Sequence, residues 1–457
     1  MTDRAELTAS FLDSVRERGA VASELIGDQP QNDMLVAFYK SRFLSRPLFL
    51  GHQEKVRLQG DLENLHTALT SLPERLFGGD LGAFARAVGM DDVQVSAILR
   101  SRGAAVTKQI RADMYVDESG FKLLEYNMGS ALGGVDVGEM SRALLEHPLM
   151  GEFADKHRLT YADPTTEKLH DIVAESGFAP DDDPVVVIVD WPSSYVDLAP
   201  YVALVVDHWR TRGMNAHGCH VGELEVRDGA VWLGELKVDI IQRLFLIEDL
   251  LESPQAAALL DPVLDAAAAG QVKIFTPMDS EAFASKGALA MLSDERNRHL
   301  LTEQERVSLD RILPWTRMLR AGKVTLENGE QVEMLDYVLA HQEDLVLKPT
   351  LLHGGQGVLL GWEEQVSAQM WREQVTAGLD GPYLIQRRVD PLPEYFPDER
   401  GELVPWLVVW GIFGAQRGFA GIYARATTLE SRAGVVNTAS GAHAGTGLHE
   451  LGPDEEV

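Results

Sequence analysis

The chain has 457 residues, of which 45% are hydrophobic and 24% are charged, and its formal net charge is −29. These proportions are typical of a soluble globular protein, and the length predicts two or three domains. The negative charge argues against a general nucleic-acid binder and against a protein that binds anionic membranes. It is compatible with a cationic substrate such as a polyamine or a basic amino acid, although an acidic surface usually serves only solubility.

The single cysteine, Cys219, excludes an intrachain disulfide and any cysteine-rich zinc or iron–sulfur site. The amino-terminal sequence has no basic segment leading into an apolar one, so no secretory signal is predicted. No apolar run approaches the roughly 18 residues that a membrane span requires. We therefore expect a cytoplasmic protein that binds neither membranes nor nucleic acids.

Residues 1–104 have the pattern of a helical region. Thr2 and Asp3 can cap a first helix through Arg18, and leucines at helical spacing in residues 61–72 are most simply core residues. No residue pattern in this region indicates chemistry. We expect it to flank the functional part of the chain or to form a wall of the substrate site.

A β-hairpin is predicted over residues 111–127, where two apolar-rich runs flank the turn sequence 117–120. A three-residue loop with Gly120 in the left-handed conformation would pair Asp117 with Phe121. The alternative to a binding site is a solvent-exposed hairpin face with one cross-strand ion pair. Two successive leucines in the second strand indicate instead that both faces are covered, so charges there need a partner.

In that register four polar side chains share one face of the hairpin. Asp113 lies opposite Glu125, and Arg111 lies opposite Asn127. Two carboxylates and an amide oxygen form an all-oxygen cluster of the kind that holds Mg²⁺ beside nucleotide phosphates. Arg111 precedes the first carboxylate by two positions and can bind the anion that is being activated.

Between about 160 and 277, strands and helices alternate, which predicts a small open sheet covered by helices. Asp190 and Arg243 lie at or near strand ends, where such sheets commonly bind ligands, although polar residues there are often structural. The predicted elements, including a helix just before this region, are helix 135–147, strand 185–189, helix 197–212, a hairpin at 228–229, and strands 238–246 and 272–275.

The last third of the chain holds a second informative pattern. Lys348 lies in a short strand, 345–349, and the strand pattern resumes at 358–361. Between them, Gly354, Gly355, Gln356 and Gly357 form a loop whose backbone N–H groups can surround phosphate oxygens. It is not a P-loop, because no Gly-Lys-Ser/Thr follows and the glycines join strand to strand.

Other segments of this third are less informative. Lys286 opens a helix over 288–293, residues 294–311 suggest an exposed helix pair, and 382–389 suit a strand between two lobes. The segments 421–425 and 435–437 precede a glycine-rich stretch at 440–445. The acidic tail from residue 451 is expected to fray.

Taken in order, these motifs resemble the ATP-grasp superfamily, specifically the circularly permuted branch that includes the synthetase domain of glutathionylspermidine synthase. The resemblance covers roughly residues 105–445. The combination of hairpin spacing with two separate lysine motifs is more specific than any one of them. The matching positions are Arg111, Asp113, Glu125, Asn127, Ser285, Lys286, the strand 345–349 with its glycine loop, Ile385 and Gln386.

The resemblance implies an α/β (α+β) ATP-grasp fold, circularly permuted, with a small Rossmann-like domain and a helical amino-terminal flank. The implied division is 1–104 for the helical region, 105–159 for the metal-binding hairpin segment, 160–277 for the α/β substrate domain, and 278–457 for the nucleotide-binding lobes.

The activity that the resemblance implies is an ATP-dependent, ADP-forming ligase that joins a small-molecule carboxylic acid to an amine. ATP and Mg²⁺ are the implied cofactors, and a homodimer is possible. The implied roles are phosphate binding for Lys286, Lys348 and residues 354–357, adenine contact for Gln386, Mg²⁺ binding for Asp113, Glu125 and Asn127, stabilisation of the carboxylate and oxyanion for Arg111, and substrate contact for Asp190, Arg243 and Arg425.

Two departures from that branch limit what is carried over. We expect no amino-terminal amidase domain with a catalytic cysteine. Residues that bind glutathione cannot be matched in this sequence, so the resemblance does not identify the substrates of this chain. Two alternatives stay open, a catalytically silent ATP/Mg²⁺-binding scaffold and a small-molecule kinase. The kinase would need a general base near the γ-phosphate, and the sequence indicates none.

Overall fold

The computed structural model of this chain describes residues 3–27, 29, 32–103, 105–129, 131–179, 181–253, 255–431, 435–438 and 441–455. Its architecture is mixed α/β with several separate sheets, as expected for the fold class. Across these described ranges, no helix has both the length and the apolar character needed to cross a membrane.

Helices dominate the amino-terminal region and recur throughout the chain. Within the described residues, short 3₁₀ segments accompany them at Val221–Glu223, Ile247–Leu251, Glu295–Leu300, Gln342–Asp344 and Leu429–Ser431. The α-helices are α1 (Arg4–Arg18), α2 (Ala22–Ile26), α3 (Asp33–Tyr39), α4 (His52–Thr70), α5 (Leu72–Phe77), α6 (Leu81–Ala87), α7 (Asp92–Arg100), α8 (Val137–Leu145), α9 (Pro148–His157), α10 (Pro164–Glu175), α11 (Pro192–Thr211), α12 (Ala256–Ala268), α13 (Asp279–Ala284), α14 (Lys286–Ser293), α15 (Glu303–Ile312), α16 (Met334–Ala340) and α17 (Ala368–Gly378).

The strands are shorter on average and fall into five sheets within the described residues. They are β1 (Leu48–Leu50), β2 (Ile110–Asp117), β3 (Gly120–Met128), β4 (Leu159–Thr160), β5 (Val186–Asp190), β6 (Ala216–His220), β7 (Leu224–Arg227), β8 (Ala230–Leu233), β9 (Leu236–Lys237), β10 (Ile240–Arg243), β11 (Lys273–Phe275), β12 (Thr316–Met318), β13 (Lys323–Thr325), β14 (Gln331–Glu333), β15 (Leu345–Pro349), β16 (Leu359–Leu360), β17 (Tyr383–Arg387), β18 (Glu394–Pro397), β19 (Leu403–Ala415), β20 (Gly418–Thr428) and β21 (His443–Glu450).

The largest sheet brings together strands from both ends of the chain and from the hairpin. Its order is β1–β21–β20–β19–β2–β3, with β18 paired to β19 and β4 to β21. The pairs are antiparallel except for β1 and β21, which run parallel. The hairpin β2–β3 therefore stands at one end of the sheet, beside β19. At that junction a Cβ on Gly411 would lie 3.1 Å from Arg111 Cδ, so glycine there leaves room for the arginine.

Two further sheets complete the framework of the site. The parallel sheet has the order β11–β10–β5–β6, and the antiparallel sheet has the order β12–β17–β15–β16. Strand β5 is buried along its whole length, as expected for a parallel strand covered on both faces. The two smaller sheets are β13–β14 and β7–β8–β9.

The core does not follow the boundaries of the predicted domains. The largest cluster of buried apolar side chains includes Leu65 and Phe84 of the helical region, Met114 of the hairpin, Val187 of the parallel sheet and Phe283 of α13. A separate cluster covers the antiparallel sheet and includes Trp371 of α17. The division of the chain at residues 105, 160 and 278 stays a prediction.

Most of the predicted elements are present, and local chemistry accounts for their ends. Asp3 caps α1 by accepting a hydrogen bond from Glu6 N, and Gly19 ends the helix in the left-handed conformation. Helix α11 begins earlier than predicted because Pro192 suits the first turn of a helix. Strand β10 covers only part of the predicted 238–246.

Two expectations about exposure were wrong, and one about the amino-terminal region was incomplete. Helix α15 is not fully exposed, because it packs on α4 and buries Leu309 and Ile312. The tail does not fray up to residue 455, because Lys55 forms an ion pair with Glu455 at 3.1 Å. The amino-terminal region is mainly helical as predicted, and it also contributes the short strand β1 to the main sheet. Thr2 of the predicted helix cap and residue 440 of the predicted glycine-rich stretch lie outside the described residues.

Candidate active site

One cavity of about 500 Å³ lies between the hairpin end of the main sheet and the antiparallel sheet. Strands β2, β3, β15, β17 and β20, the start of α14 and the loop after β15 contribute to its walls. The predicted site residues that line it are Arg111, Asp113, Glu125, Asn127, Lys286, Lys348, Gly354, Gly355, Gln386 and Arg425. Residues more than 200 positions apart in the sequence are thus brought to one cavity.

The turn of the hairpin differs from the prediction. Asp117 pairs with Gly120 rather than with Phe121, so the loop is one residue shorter than expected. The Asp117 carboxylate accepts hydrogen bonds from the backbone N–H and the hydroxyl of Ser119, both at 2.7 Å, and these stabilise the tight turn. A one-residue change of register would turn the polar side chains of β3 to the opposite face.

A β-bulge in β3 restores the predicted register before the polar residues. The ladder shifts just after Asp113, and Leu124 is the extra residue. Beyond the bulge the pairs are Asp113 with Glu125 and Arg111 with Asn127, as predicted. The register shift caused by the short turn is cancelled by the shift at the bulge, so all four polar side chains line the cavity.

Asp113 holds two guanidinium groups at the cavity wall. Arg111 donates to both of its carboxylate oxygens, from Nε at 2.8 Å and from Nη2 at 3.1 Å. Arg425 Nη2 lies 2.7 Å from Oδ2, and Asn127 Nδ2 donates to the same oxygen at 3.2 Å. Burial alone would raise the pKa of Asp113, but the two arginines outweigh it and lower the pKa to about 2. The carboxylate is therefore ionised at neutral pH.

Lys286 connects the hairpin with α14. Ser285 caps this helix by accepting a hydrogen bond from Gly287 N at 3.1 Å, which places Lys286 in the first turn. Lys286 Nζ lies 2.7 Å from Glu125 Oε1 and donates to the Leu352 carbonyl at 2.8 Å. Burial would raise the pKa of Glu125, but the ammonium of Lys286 outweighs that effect and the pKa is lowered.

Lys348 connects the antiparallel sheet with the bulge. Its ammonium donates to Gln386 Oε1 at 2.6 Å and to the Leu124 carbonyl at 3.0 Å. Gln386 is itself oriented by donating Nε2 to Thr316 Oγ1 at 3.2 Å. Lys348 is only 8% exposed, and burial lowers its pKa to about 8.

The glycine-rich loop approaches the cavity with part of its length. Gly354 and Gly355 line the cavity, whereas Gln356 and Gly357 lie in the same loop without lining it. Gly355 has φ of 83°, and a Cβ there would lie 2.9 Å from Val435 Cγ1. Both the backbone conformation and the close approach therefore require glycine at this position.

Two residues predicted to contact substrate lie elsewhere. Arg243 is fully buried and binds Glu281 and nearby backbone carbonyls. Asp190 accepts a hydrogen bond from Ser194 Oγ at 3.0 Å at the start of the following helix. Both side chains are occupied by partners around their own sheet, so a position at a strand end was not sufficient evidence. Arg425, in contrast, lines the cavity.

Several lining residues were not predicted from the sequence. Tyr115 lies two positions after Asp113 on the same strand, so strand alternation could have indicated it, and burial raises its pKa to about 12. Trp362 stacks under Arg388, with 4.5 Å between guanidinium carbon and ring centre. Asn437 donates to the Gly354 carbonyl at 3.1 Å. No local pattern marks Trp362 or Asn437.

The hairpin donors fit a hard divalent cation such as Mg²⁺. Asp113 and Glu125 are both held in the ionised form, and carboxylate and amide oxygens are the ligands that Mg²⁺ prefers. Because Asn127 directs its amide nitrogen to Asp113, its Oδ1 is available as a ligand. The donor chemistry is therefore consistent with the cofactor expected from the sequence.

Neither a protein-family model nor a curated protein matches this sequence. Among solved structures, the apo form of a glutathione synthetase-like effector from Globodera pallida is similar over 99% of this chain and 98% of that chain. The TM-score is 0.56 and the sequence identity is 10%. Similarity over almost the whole of both chains shows a common fold. The chain therefore shares the overall fold of that effector.

A second solved structure, D-cycloserine synthetase, matches less well. The match covers 53% of this chain and 75% of that chain, with 13% identity and a TM-score of 0.24. A score this low carries no argument about the fold of this chain.

Proposed function

We propose that this chain is an ATP-grasp enzyme that joins a carboxylic acid to an amine, with ADP and phosphate as the other products. The observation that carries the proposal is the meeting of Lys286, Lys348 and the glycine loop with the Arg111–Asp113–Arg425 group in one cavity. Phosphoryl transfer needs cations around the triphosphate and an anion-binding group beside the acceptor, and this cavity supplies both.

In the proposed complex the nucleotide lies on the side of the antiparallel sheet. Lys286, Lys348 and the N–H groups of residues 354–355 contact its phosphates. Gln386 contacts the adenine, with Val346 and Leu360 as apolar walls. A circularly permuted ATP-grasp topology is part of this proposal, and the order of the hairpin before the lysine-bearing strands in the chain supports it.

The acid substrate lies against the main sheet. Asp113 orients Arg111 and Arg425, and two guanidinium groups form a suitable site for a carboxylate. Small-molecule acid and amine substrates are the proposed partners. Mg²⁺ held by Glu125 and Asn127, together with Asp113, would neutralise charge on the phosphates.

The proposed reaction has two steps. A carboxylate oxygen attacks the γ-phosphorus of ATP, the bond to the β-phosphate oxygen breaks, and ADP leaves. The amine then attacks the carbonyl carbon of the acyl phosphate, the bond from carbon to the phosphate oxygen breaks, and phosphate leaves while the amine loses a proton. Arg111 stabilises the negative charge that develops on the carbonyl oxygen. Lys286 and Lys348 hold the phosphates in line.

Incubation of the chain with ATP, Mg²⁺, a panel of acids and hydroxylamine tests this proposal. An acyl phosphate would be trapped as a hydroxamate, with one ADP released for each hydroxamate formed. Formation of AMP and pyrophosphate would refute the mechanism. Release of ADP with a stable phosphorylated product and no hydroxamate would identify a kinase, and ATP binding without turnover of any substrate would identify a silent scaffold.

A further inference from the structure

A second polar cluster lies beside the candidate active site and has no part in the proposed mechanism. It comprises Glu248 of the 3₁₀ segment Ile247–Leu251, Glu281 of α13, and His353 of the loop after β15. One nitrogen or oxygen atom from each lies within 4.8 Å of the others. Glu281 and His353 also line the main cavity, so the cluster adjoins it.

A small void lies among these side chains. Its volume is about 10 Å³, which is close to the space that a single water-sized occupant requires. Thr350 also lines the void, is 1% exposed, and its hydroxyl has no hydrogen-bond partner among the residues that the structure describes. Within the same residues, both carboxylate oxygens of Glu248 are buried without a hydrogen-bond partner.

Among the described residues, Glu248 forms an ion pair with His353, whose Nε2 lies 3.3 Å from Oε1, whereas Arg243 and Lys286 have other direct partners. Arg243 binds Glu281. Lys286 lines the void, but its ammonium contacts Glu125 and a backbone carbonyl. His353 is the neighbour that remains. Its pairing with Glu248 as an imidazolium would still leave the second carboxylate oxygen and the Thr350 hydroxyl unsatisfied, which is unfavourable for buried polar groups.

The distances in the cluster suit a small metal ion. Two ligand atoms bound to a tetrahedral zinc ion at about 2.0–2.1 Å lie about 3.3 Å apart. His353 Nε2 lies 3.3 Å from Glu248 Oε1 and 4.0 Å from Glu281 Oε2. The first spacing already matches that of two zinc ligands, and Glu281 Oε2 would have to move about 0.7 Å towards His353 Nε2 to reach the same spacing.

We propose that Glu248, Glu281 and His353 bind a divalent transition-metal ion of the Zn²⁺ class. Mixed nitrogen and oxygen donors favour such an ion over Mg²⁺, whereas the hairpin cluster offers only oxygen. A water molecule in the fourth position could satisfy the second oxygen of Glu248 and the Thr350 hydroxyl. The ion would connect the glycine-rich loop to the segment that follows the parallel sheet.

Titration of the chelator-treated full chain with Co²⁺ in the absence of nucleotide tests the proposal, because protein-bound Co²⁺ reports its ligands through its visible absorption. We expect one Co²⁺ per chain with a low-coordinate spectrum, displaced by Zn²⁺. His353→Ala and Glu248→Gln should each weaken binding by at least about tenfold. Thr350→Val keeps the side-chain shape and should change the spectrum of the bound ion.

Matched control variants distinguish Co²⁺ binding at this cluster from Co²⁺ binding by other side chains. His299→Ala and Glu399→Gln change exposed residues and should leave the titration unchanged. Asn127→Ala should also leave it unchanged, because it lies in the hairpin cluster. Circular dichroism of each variant verifies the fold.

Two results would overturn the proposal. The first is a wild-type chain that gives only the spectrum of free Co²⁺, which would show that the void holds water beside an ion pair. The second is a signal that is lost in Asn127→Ala and retained in His353→Ala, which would place the ion at the hairpin. Neither result bears on ADP formation, so the proposed function is tested separately.

Discussion

At the scale of single residues, Lys348 connects two walls of the cavity. It is almost fully buried, and its ammonium bridges Gln386 of β17 and the Leu124 carbonyl of the hairpin bulge. Both direct acceptors of this buried cation are neutral, and Glu125, which favours the charged form of Lys348, is itself paired with Lys286, so a further anion would stabilise the ammonium. A triphosphate in the cavity would be that anion.

Lys348→Met is therefore expected to remove activity while keeping most of the side-chain volume. The initial rate of ADP release should fall by about a hundredfold, which is the typical effect of removing one electrostatic contact from a transition state. Lys323→Met, at an exposed position of β13, is the matched control and should retain the wild-type rate. A Lys348→Met protein with the wild-type rate would exclude Lys348 from phosphate binding.

The pKa of Lys348 leads to a pH dependence of nucleotide binding. Burial lowers this pKa to about 8, so the side chain is charged below that pH and increasingly neutral above it. The Kd for ATP should therefore rise as the pH increases through about 8. Calorimetric titration at several pH values measures the change. Lys348→Met should show a flat profile over the same range, and an equally steep profile in this variant would assign the effect to another group.

At the scale of elements, the turn and the bulge of the hairpin act together. The short turn displaces the strands by one position, and the bulge at Leu124 returns them to the pairing that places Glu125 and Asn127 in the cavity. The conformation of the glycine-rich loop depends on Gly355, which combines a positive φ with a close approach to Val435.

Gly355→Ala should weaken ATP binding by about tenfold, because a strain of about 1–2 kcal/mol would displace the loop from the phosphates. The matched control is Gly322→Ala, where φ is 98° but a Cβ would meet no atom within 4 Å. Gly322→Ala should lose about 1 kcal/mol of stability and Gly355→Ala more, because only Gly355 adds a close contact to the positive φ; urea unfolding measures both. Equal ATP affinity in the two variants would contradict a role of the loop in binding phosphate.

At the scale of the whole molecule, the cavity lies where separate sheets meet. The Lys348–Leu124 and Lys286–Glu125 contacts connect the antiparallel sheet and α14 to the hairpin of the main sheet. A ligand held by both sides should therefore stabilise the molecule as a unit.

ATP at about one hundred times its Kd should add about 2.7 kcal/mol to the free energy of unfolding. With an unfolding entropy of about 1 kcal/mol/K for a chain of this size, Tm should rise by about 3 °C, measured by calorimetry. The shift should disappear in Lys348→Met. An unchanged Tm for the wild-type chain at saturating ATP would refute nucleotide binding.

Much of the site could be predicted from the sequence because each of its parts is marked by a local sequence pattern. Alternation along β2 and β3 correctly predicted that four polar side chains share one face: Arg111, Asp113, Glu125 and Asn127. The predicted turn was one residue too long, but the bulge in β3 shifts the register back by one residue, so the predicted pairs still form. The strand carrying Lys348 and the start of α14 were also predicted, since Ser285 is a helix cap and 345–349 is an uninterrupted apolar strand apart from its lysine.

The sequence by itself determined which short segments become strands, caps and turns, because those outcomes depend on neighbouring residues. Only the tertiary structure decided that Asp113 is shared by Arg111 and Arg425, since 312 positions separate Asp113 from Arg425 and no local pattern spans such a distance. It also decided that Arg243 is buried against Glu281, and that Glu248, Glu281 and His353 surround one void. These facts depend on how sheets pack, and packing is set by contacts that form only when the whole chain is folded.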